Sequence, residues 1–116
     1  MVNRKVILNY GGKKITLELK EMRGPFKEAF GLMFCRREKA KALLFPFKNS
    51  INFTIHSFFV FFEFIAIWVD EKGKIIEIRK IIPWKFNIRP KKKFIKLIEI
   101  PINDRYENIV KLLDED

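Results

Sequence analysis

Short apolar runs separated by small gaps fill the second half of the chain, and this spacing limits the fold more than any other feature. Runs typical of strands occupy Ala42–Phe47, Phe53–Phe61, Phe64–Asp70, Lys74–Ile82 and Lys93–Ile100. A crossover between two parallel strands needs a dozen or more residues, usually with a helix. All four gaps between these runs are shorter, and one of them, Glu71-Lys72-Gly73 after Asp70, is expected to form a hairpin turn. The sequence therefore predicts a mainly β fold.

The amino-terminal part adds a predicted hairpin. Strands are expected at Arg4–Tyr10 and Lys14–Lys20, joined by Gly11-Gly12, because two glycines can both take the positive φ of a two-residue turn. In the second strand apolar residues alternate with polar ones, at Ile15, Leu17 and Leu19. That period of two predicts one buried and one solvated face.

Helices are predicted at two places. Pro25 suits the first turn of a short helix at Lys27–Phe34. At the carboxyl end, Asn103–Leu113 has helical periodicity, with Asp104 as the expected N-cap. The predicted fold is therefore a small jelly-roll-like β-sandwich or barrel with one or two short helices, in a single domain over residues 1–116.

Composition indicates a folded protein of a reducing compartment. Of 116 residues, 48% are hydrophobic, which is enough for a core. A single cysteine, Cys35, permits no intramolecular disulfide. The opening residues lack the apolar centre of a signal peptide, and the apolar stretch Ser57–Val69 is shorter than the roughly 20 residues of a spanning helix. We expect a cytoplasmic protein without membrane contact.

Positive charge is concentrated in one segment of this +10 chain. The segment contains no acidic residue and eight basic ones: Arg79, Lys80, Lys85, Arg89, Lys91, Lys92, Lys93 and Lys96. Aromatic residues Trp84, Phe86 and Phe94 lie among them. Cations with interleaved aromatics are typical of surfaces that bind phosphates and stack bases, so nucleic acid is one candidate partner. A solvated loop and strand face is the alternative.

A series of short motifs gives the chain a family resemblance. In order they are Gly31-Leu32-Met33 with Arg36, Leu43-Leu44-Phe45-Pro46-Phe47, His56-Ser57-Phe58-Phe59, Trp68-Val69-Asp70 with Gly73, Pro83-Trp84, and Ile98-Glu99-Ile100-Pro101. Over roughly residues 20–102 this pattern resembles the domain of unknown function 192 family. The resemblance implies a compact, jelly-roll-like β fold and no known reaction.

The chain departs from that family pattern at two positions. Ala66 stands where the resemblance leads us to expect Asp, and Pro101 leads into a predicted helix where the family has Gly and a final strand. Any activity that used the expected Asp would be absent from this chain.

Signature residues at predicted strand ends supply a candidate ligand site. Its members are Arg36, His56, Asp70, Trp84 and Glu99. His56 suits either a pocket acid or base, or a structural ring bonded to a backbone carbonyl. Arg36 suits either an anion contact or an internal ion pair with Asp70 or Glu99.

Three classes of function follow from these residues. A small module that binds a small molecule or a protein is favoured, and a nucleic-acid-binding protein is the alternative. An enzyme ranks last, because the sequence has no paired carboxylates, nucleophile motif or glycine-rich phosphate loop. One His and one Cys provide no metal-ligand spacing, so neither metal nor cofactor is expected. The sequence does not decide the oligomeric state.

Overall fold

Six strands build the protein. The structure, a computed structural model, describes residues 3–22, 32, 35–51, 55–57, 59–85 and 87–113. The strands are β1 (Asn3–Tyr10), β2 (Lys13–Glu21), β3 (Leu43–Ile51), β4 (Phe64–Val69), β5 (Ile75–Ile81) and β6 (Phe94–Pro101). A 3₁₀ turn at Asp104–Tyr106 leads into helix α1 (Glu107–Leu113).

These strands form one sheet in the order β1-β2-β3-β6-β4-β5. Neighbours are antiparallel except β2 and β3, which are parallel. The two edge strands approach each other, with Cα atoms of β1 and β5 within 8 Å, so the sheet curls into a half-barrel. The predicted mainly β class is confirmed, and the architecture is a single curled sheet.

Strand β4 is buried on both faces of the sheet. Phe64, Ala66 and Trp68 point to the face covered by the connections that contain Ile55 and Ile88, here called the loop face. The opposite face, here called the helix face, takes Ile65, Ile67 and Val69 and packs against Tyr106 and Leu113. Each large apolar side chain removed from water contributes about 1.5–3 kcal/mol. The most apolar strand therefore lies inside, between β6 and β5.

Local residue chemistry builds both predicted hairpin turns. Gly11 and Gly12 have φ of 56° and 79°, the positive values that a tight turn requires. In the turn between β4 and β5, one carboxylate oxygen of Asp70 accepts hydrogen bonds from the N–H groups of Lys72 and Lys74, both at 2.9 Å. Gly73 closes that turn with φ of 80°.

The predicted strand Phe53–Phe61 is wrong in its described part. Ile55 forms only an isolated bridge to Ile88, and Phe59 has φ of 60°, which no regular strand adopts. Ser57 bonds instead to Lys85, with its N–H 2.7 Å from that carbonyl oxygen. The described part of this run contributes Ile55 and Val60 to the loop-face core and is not a ladder strand. The predicted helix Lys27–Phe34 lies outside the described residues, apart from Leu32.

The carboxyl-terminal helix is present but starts differently from the prediction. Asn103, not Asp104, precedes the first helical turn, and its amide nitrogen donates to the carbonyl oxygens of Arg37 and Ala40 at 2.8 and 3.1 Å. Asn103 therefore ties the helix to the connection before β3. Among the described residues, no helix has the length and apolar character needed to cross a membrane.

Tyr106 joins this helical segment to the sheet, and its removal is expected to be costly. The buried N–H of Ala42 donates to the Tyr106 hydroxyl oxygen at 2.6 Å. Tyr106→Phe leaves that N–H without an acceptor, which costs about 1–3 kcal/mol. Urea unfolding of both proteins measures the loss. A change below about 0.5 kcal/mol, the range of surface substitutions, would contradict this role.

Candidate functional site

Glu99 is a carboxylic acid on the loop face. It lies on β6 between Leu43 of β3 and Ala66 of β4, with only 7% of its surface exposed. Burial raises the pKa of this carboxyl to about 8. No described residue donates a hydrogen bond to it or pairs with it as an ion. At pH 7 it is therefore mostly the neutral acid, which offers one O–H donor and one carbonyl acceptor.

Trp68 presents a second unpaired polar group beside Glu99. The two residues are diagonal neighbours, because Trp68 of β4 lies opposite Leu97, two positions before Glu99 on β6. Such diagonal neighbours are about 7–8 Å apart, with only small Ala66 beside them in the row. The Trp68 side chain is fully buried, and its indole N–H has no hydrogen-bond partner among the described residues.

Arg79 lies beside Trp68, on the side away from Glu99 in the strand order. It lies on β5 opposite Ala66, and its guanidinium carbon is 5.4 Å from the centre of the Trp68 ring, within cation–π range. The guanidinium also bonds to the Glu77 carboxylate and to the carbonyl oxygen of Arg89, the latter at 3.1 Å. We call Trp68, Glu77, Arg79 and Glu99 the polar cluster.

Sequence reasoning assigned no role to Glu77. Glu77 and Arg79 are two residues apart on β5, so a strand period of two places them on one face. That signal was present in the sequence, but which face of β5 points toward Glu99 depends on the strand order.

Ala66 is the position where the family resemblance suggested Asp. The register makes Ala66 the direct partner of both Arg79 and Glu99. A carboxyl group at this position would face Glu99 across the strand pair. In this chain a methyl group lies beside the Glu99 acid instead.

The five predicted ligand-site residues lie on several different elements. His56 precedes Ser57 in the chain, and the Trp84 N–H donates to the Ser57 carbonyl oxygen, whereas Asp70 occupies the β4–β5 turn and Glu99 lies within β6. Arg36 is exposed in the connection before β3. No ion pair among the described residues joins Arg36 to Asp70 or Glu99. The hydrogen bond from the Lys74 N–H has the largest effect on the pKa of Asp70 and lowers it, and the bond from the Lys72 N–H lowers it further. Their ligand-binding roles remain predictions.

Ser57 fastens two connections to each other. Its buried hydroxyl donates to the Ile82 carbonyl oxygen at 2.7 Å and accepts from the Lys85 N–H at 2.7 Å. Its own carbonyl oxygen accepts from the Trp84 N–H at 2.9 Å. His56, the adjacent residue, has an exposed side chain. The chain near Trp84 is thus fixed by several short hydrogen bonds.

Large apolar side chains face solvent around Trp84. Their exposed fractions are 42% for Phe59, 59% for Phe61, 46% for Ile82 and 50% for Trp84. The Trp84 ring centre is 4.9 Å from that of Phe59 and 6.1 Å from that of Phe61, both with edge-type geometry. We call these residues the aromatic surface. The sequence did not predict the aromatic surface, because it was interpreted as a strand over Phe53–Phe61 and did not show which phenylalanines point outward.

The connection that follows Trp84 carries most of the predicted nucleic-acid residues. Two others lie on β5. There Arg79 is bonded to Glu77, and Lys80 lies 3.8 Å from Glu63 in a surface ion pair. The connection from β5 to β6 is here called the basic connection. Its predicted cations are all exposed: Lys85, Arg89, Lys91, Lys92 and Lys93. None of them pairs with a carboxylate among the described residues.

Cys35 has the environment of an unreactive thiol. It packs against the loop-face core, and burial raises its pKa despite the opposing effect of the Lys20 charge. A raised pKa leaves little thiolate, the nucleophilic form, at neutral pH. In the described part of the chain, no group of three His, Cys, Asp or Glu residues could hold a metal ion.

Two solved structures share this fold. A protein of Sinorhizobium meliloti 1021, described as a candidate transcription regulator, superposes with a TM-score of 0.75 and 17% identity, covering 93% of this chain and 85% of that one. A protein of unknown function from Novosphingobium aromaticivorans gives 0.77 and 15%, covering 93% and 79%. At such identities the likeness establishes the fold alone.

Two sequence relatives from the genus Pyrococcus match this chain. A UPF0127 protein of Pyrococcus abyssi is 32% identical over 79 residues, covering 68% of this chain and 67% of that protein. One of Pyrococcus furiosus is 24% identical over 105 residues, covering 83% and 90%. The profile of the DUF192 family, described as Uncharacterized ACR, matches residues 6–108. The match spans most of the chain and confirms the resemblance in its motifs: the chain belongs to the DUF192 family of uncharacterised proteins.

Proposed function

We propose that this protein is a small binding module that holds a neutral small molecule at the polar cluster. The observation that carries the proposal is the buried Trp68 indole N–H, which has no hydrogen-bond partner among the described residues and lies on the same face as the Glu99 carboxyl. A buried polar group without a partner costs about 1–3 kcal/mol, so such groups are rare in native proteins, and a bound water or ion or a catalytic role is among their explanations.

The chemistry of the cluster favours a neutral ligand with a carboxamide. The neutral Glu99 carboxyl can donate to an amide oxygen and accept from the amide N–H, and the Trp68 N–H supplies a further donor. A cationic ligand would meet the Arg79 guanidinium beside Trp68. An anionic ligand such as a carboxylate has no N–H to donate to the carbonyl oxygen of the Glu99 acid. If Glu99 were ionised, the ligand and Glu99 would place two negative charges together. Leu43, Leu97 and Phe94 supply apolar contacts on the same face.

Binding is supported better than catalysis at this position. Acid–base chemistry by two carboxyl groups needs a second acid within reach of the first, and Ala66 occupies the place opposite Glu99. The carboxylate of Glu77 is already bonded to Arg79 and to the backbone N–H of Lys91. The cluster thus offers hydrogen-bonding groups for recognition.

Nuclear magnetic resonance with benzamide as the probe tests this function. The chain has two tryptophans, so Trp84→Phe leaves a single indole N–H signal, that of Trp68. Benzamide should shift this signal with saturation, and benzoate, its anionic analogue, should do so more weakly. Glu99→Leu, which removes both hydrogen-bonding atoms of the acid, should abolish the shift. Glu18→Gln on the exposed side of β2 is the matched control.

Two results would contradict the proposed site. One is the absence of any saturable shift with benzamide. The other is an equal shift in wild type and Glu99→Leu, because benzamide would then bind without the acid that defines the cluster.

A further inference from the structure

We propose that the aromatic surface and the basic connection together bind single-stranded nucleic acid, as a second site built from different residues than the polar cluster. The sequence suggested such a partner from charge and aromatic content alone, for the whole segment from Arg79 to Lys96. The structure narrows the surface to defined residues and adds Phe59 and Phe61, which lie outside that segment.

The backbone is strained at two residues of the aromatic surface. Phe59 and Trp84 have φ of 60° and 61°, a region in which bulky residues are outliers. The Ser57 hydrogen bonds to Ile82, Trp84 and Lys85 keep both connections in this arrangement. Strained backbone of this kind concentrates at functional sites. Here it presents aromatic side chains to solvent, where they contribute little to the core.

The charges beside this surface suit a polyanion. Lys85 directly follows Trp84, and Arg89, Lys91, Lys92 and Lys93 continue the same exposed connection. None of these cations is neutralised by a carboxylate among the described residues, in contrast to Arg79 and Lys80. Exposed cations can replace the counterions of a phosphate backbone, and exposed aromatic faces can stack unpaired bases.

Charge also argues against the other occupants of an aromatic surface. A second copy of this chain would bring another +10 protein, with the same cations, against these side chains. Duplex DNA or RNA keeps its bases stacked inside the helix, so it could not use the tryptophan ring as a stacking platform. The observations therefore favour a single strand.

Fluorescence anisotropy with a labelled oligouridine of about twelve nucleotides tests the surface, a length within the usual range for one small domain. If five cations bind phosphates, the logarithm of the association constant should fall with a slope of about −3.5 against the logarithm of salt concentration. Raising salt from about 50 to 200 mM would then weaken binding about 100-fold. Binding that does not respond to salt would overturn the proposal.

Matched variants separate stacking from charge. Trp84→Ala should weaken binding about 5- to 150-fold, the range for the loss of one stacked base, and should leave the salt slope unchanged. Phe61→Ala repeats this test at the most exposed of these phenylalanines. Ile7→Ala, at a residue 61% exposed on β1, is the control for removal of an exposed apolar side chain. Equal affinity of the Trp84, Phe61 and Ile7 variants would overturn the proposal.

A second pair of variants tests the position of the charges. Alanine at Lys91, Lys92 and Lys93 should reduce the steepness of the salt slope by about two, which is about 0.7 for each phosphate that the variant no longer binds. Alanine at Lys14, Lys39 and Lys41, all exposed elsewhere, removes the same charge and should leave the slope unchanged. Equal slopes for the two triple variants would show that only net charge matters and would overturn the assignment to this surface.

Sedimentation velocity with and without the oligonucleotide completes the test. A dimer that Trp84→Ala dissociates, without salt-sensitive binding of the oligonucleotide, would assign the surface to self-association and overturn the proposal. Glu99→Leu should bind the oligonucleotide like the wild type. A failure of oligonucleotide binding would therefore be distinguishable from a failure of benzamide binding, because the two experiments depend on different residues.

Discussion

Replacing Glu99 with Gln is expected to raise the free energy of unfolding at pH 7 by about 3 kcal/mol. The folded protein keeps the proton on Glu99 up to a pKa of about 8, whereas the unfolded chain releases it near the ordinary value of 4.5. Between these values the unfolded state binds fewer protons, so stability falls as pH rises. Gln has a similar shape and carries no proton to lose, so the variant avoids this destabilisation.

Urea unfolding between pH 4 and pH 9 measures the effect. The two proteins should have similar stability at pH 4, and the difference should grow up to about pH 8 and then become constant. Glu18→Gln, at an exposed position of β2, is the control and should follow the wild type. Parallel pH profiles for wild type and Glu99→Gln would show that Glu99 is already ionised in the folded protein.

Phe64→Ala is expected to reduce the free energy of unfolding by about 3–5 kcal/mol, the usual cost of such a truncation in a core. Phe64 is 1% exposed at the start of β4 and packs within the loop-face core. Removal of its ring reduces apolar burial and leaves a cavity that the neighbouring strands can fill only in part.

Phe61→Ala is the matched control, because it makes the same change three residues earlier in the chain. Phe61 is 59% exposed, so the expected loss is within about 0.5 kcal/mol. Chemical denaturation of the two variants tests the assignment of inside and outside in this run. Similar losses would mean that the aromatic surface is not exposed in solution.

Features that depend on neighbouring residues could be predicted from the sequence. Gly11-Gly12 and the turn from Asp70 to Gly73 form as expected, since positive φ and a side chain bonded to nearby N–H groups are local properties. The alternation of Ile15, Leu17 and Leu19 likewise places their side chains in the core. Strand Phe53–Phe61 could not be excluded in this way, because a covering loop needs the same apolar residues as a strand.

The candidate site shows a similar division. Glu99 was predicted as a site residue from its place in a motif, but its buried environment was not predicted. The residues that make it unusual are Ala66, Trp68 and Arg79, distant in sequence and brought beside it by the order β6-β4-β5. The raised pKa follows from that burial, and no local pattern contains it.

By itself, the sequence determined that this chain is mainly β, which segments form its hairpins, and to which family it belongs. Period-two alternation and turn residues are encoded within a few residues of one another, and the order of the motifs is read directly along the chain. The tertiary structure alone decided that Phe64 lies inside and Phe61 outside, and that Glu99 adjoins Trp68. Burial and strand pairing are set by contacts between distant segments, so they exist only once the sheet has curled and its loops have closed over it.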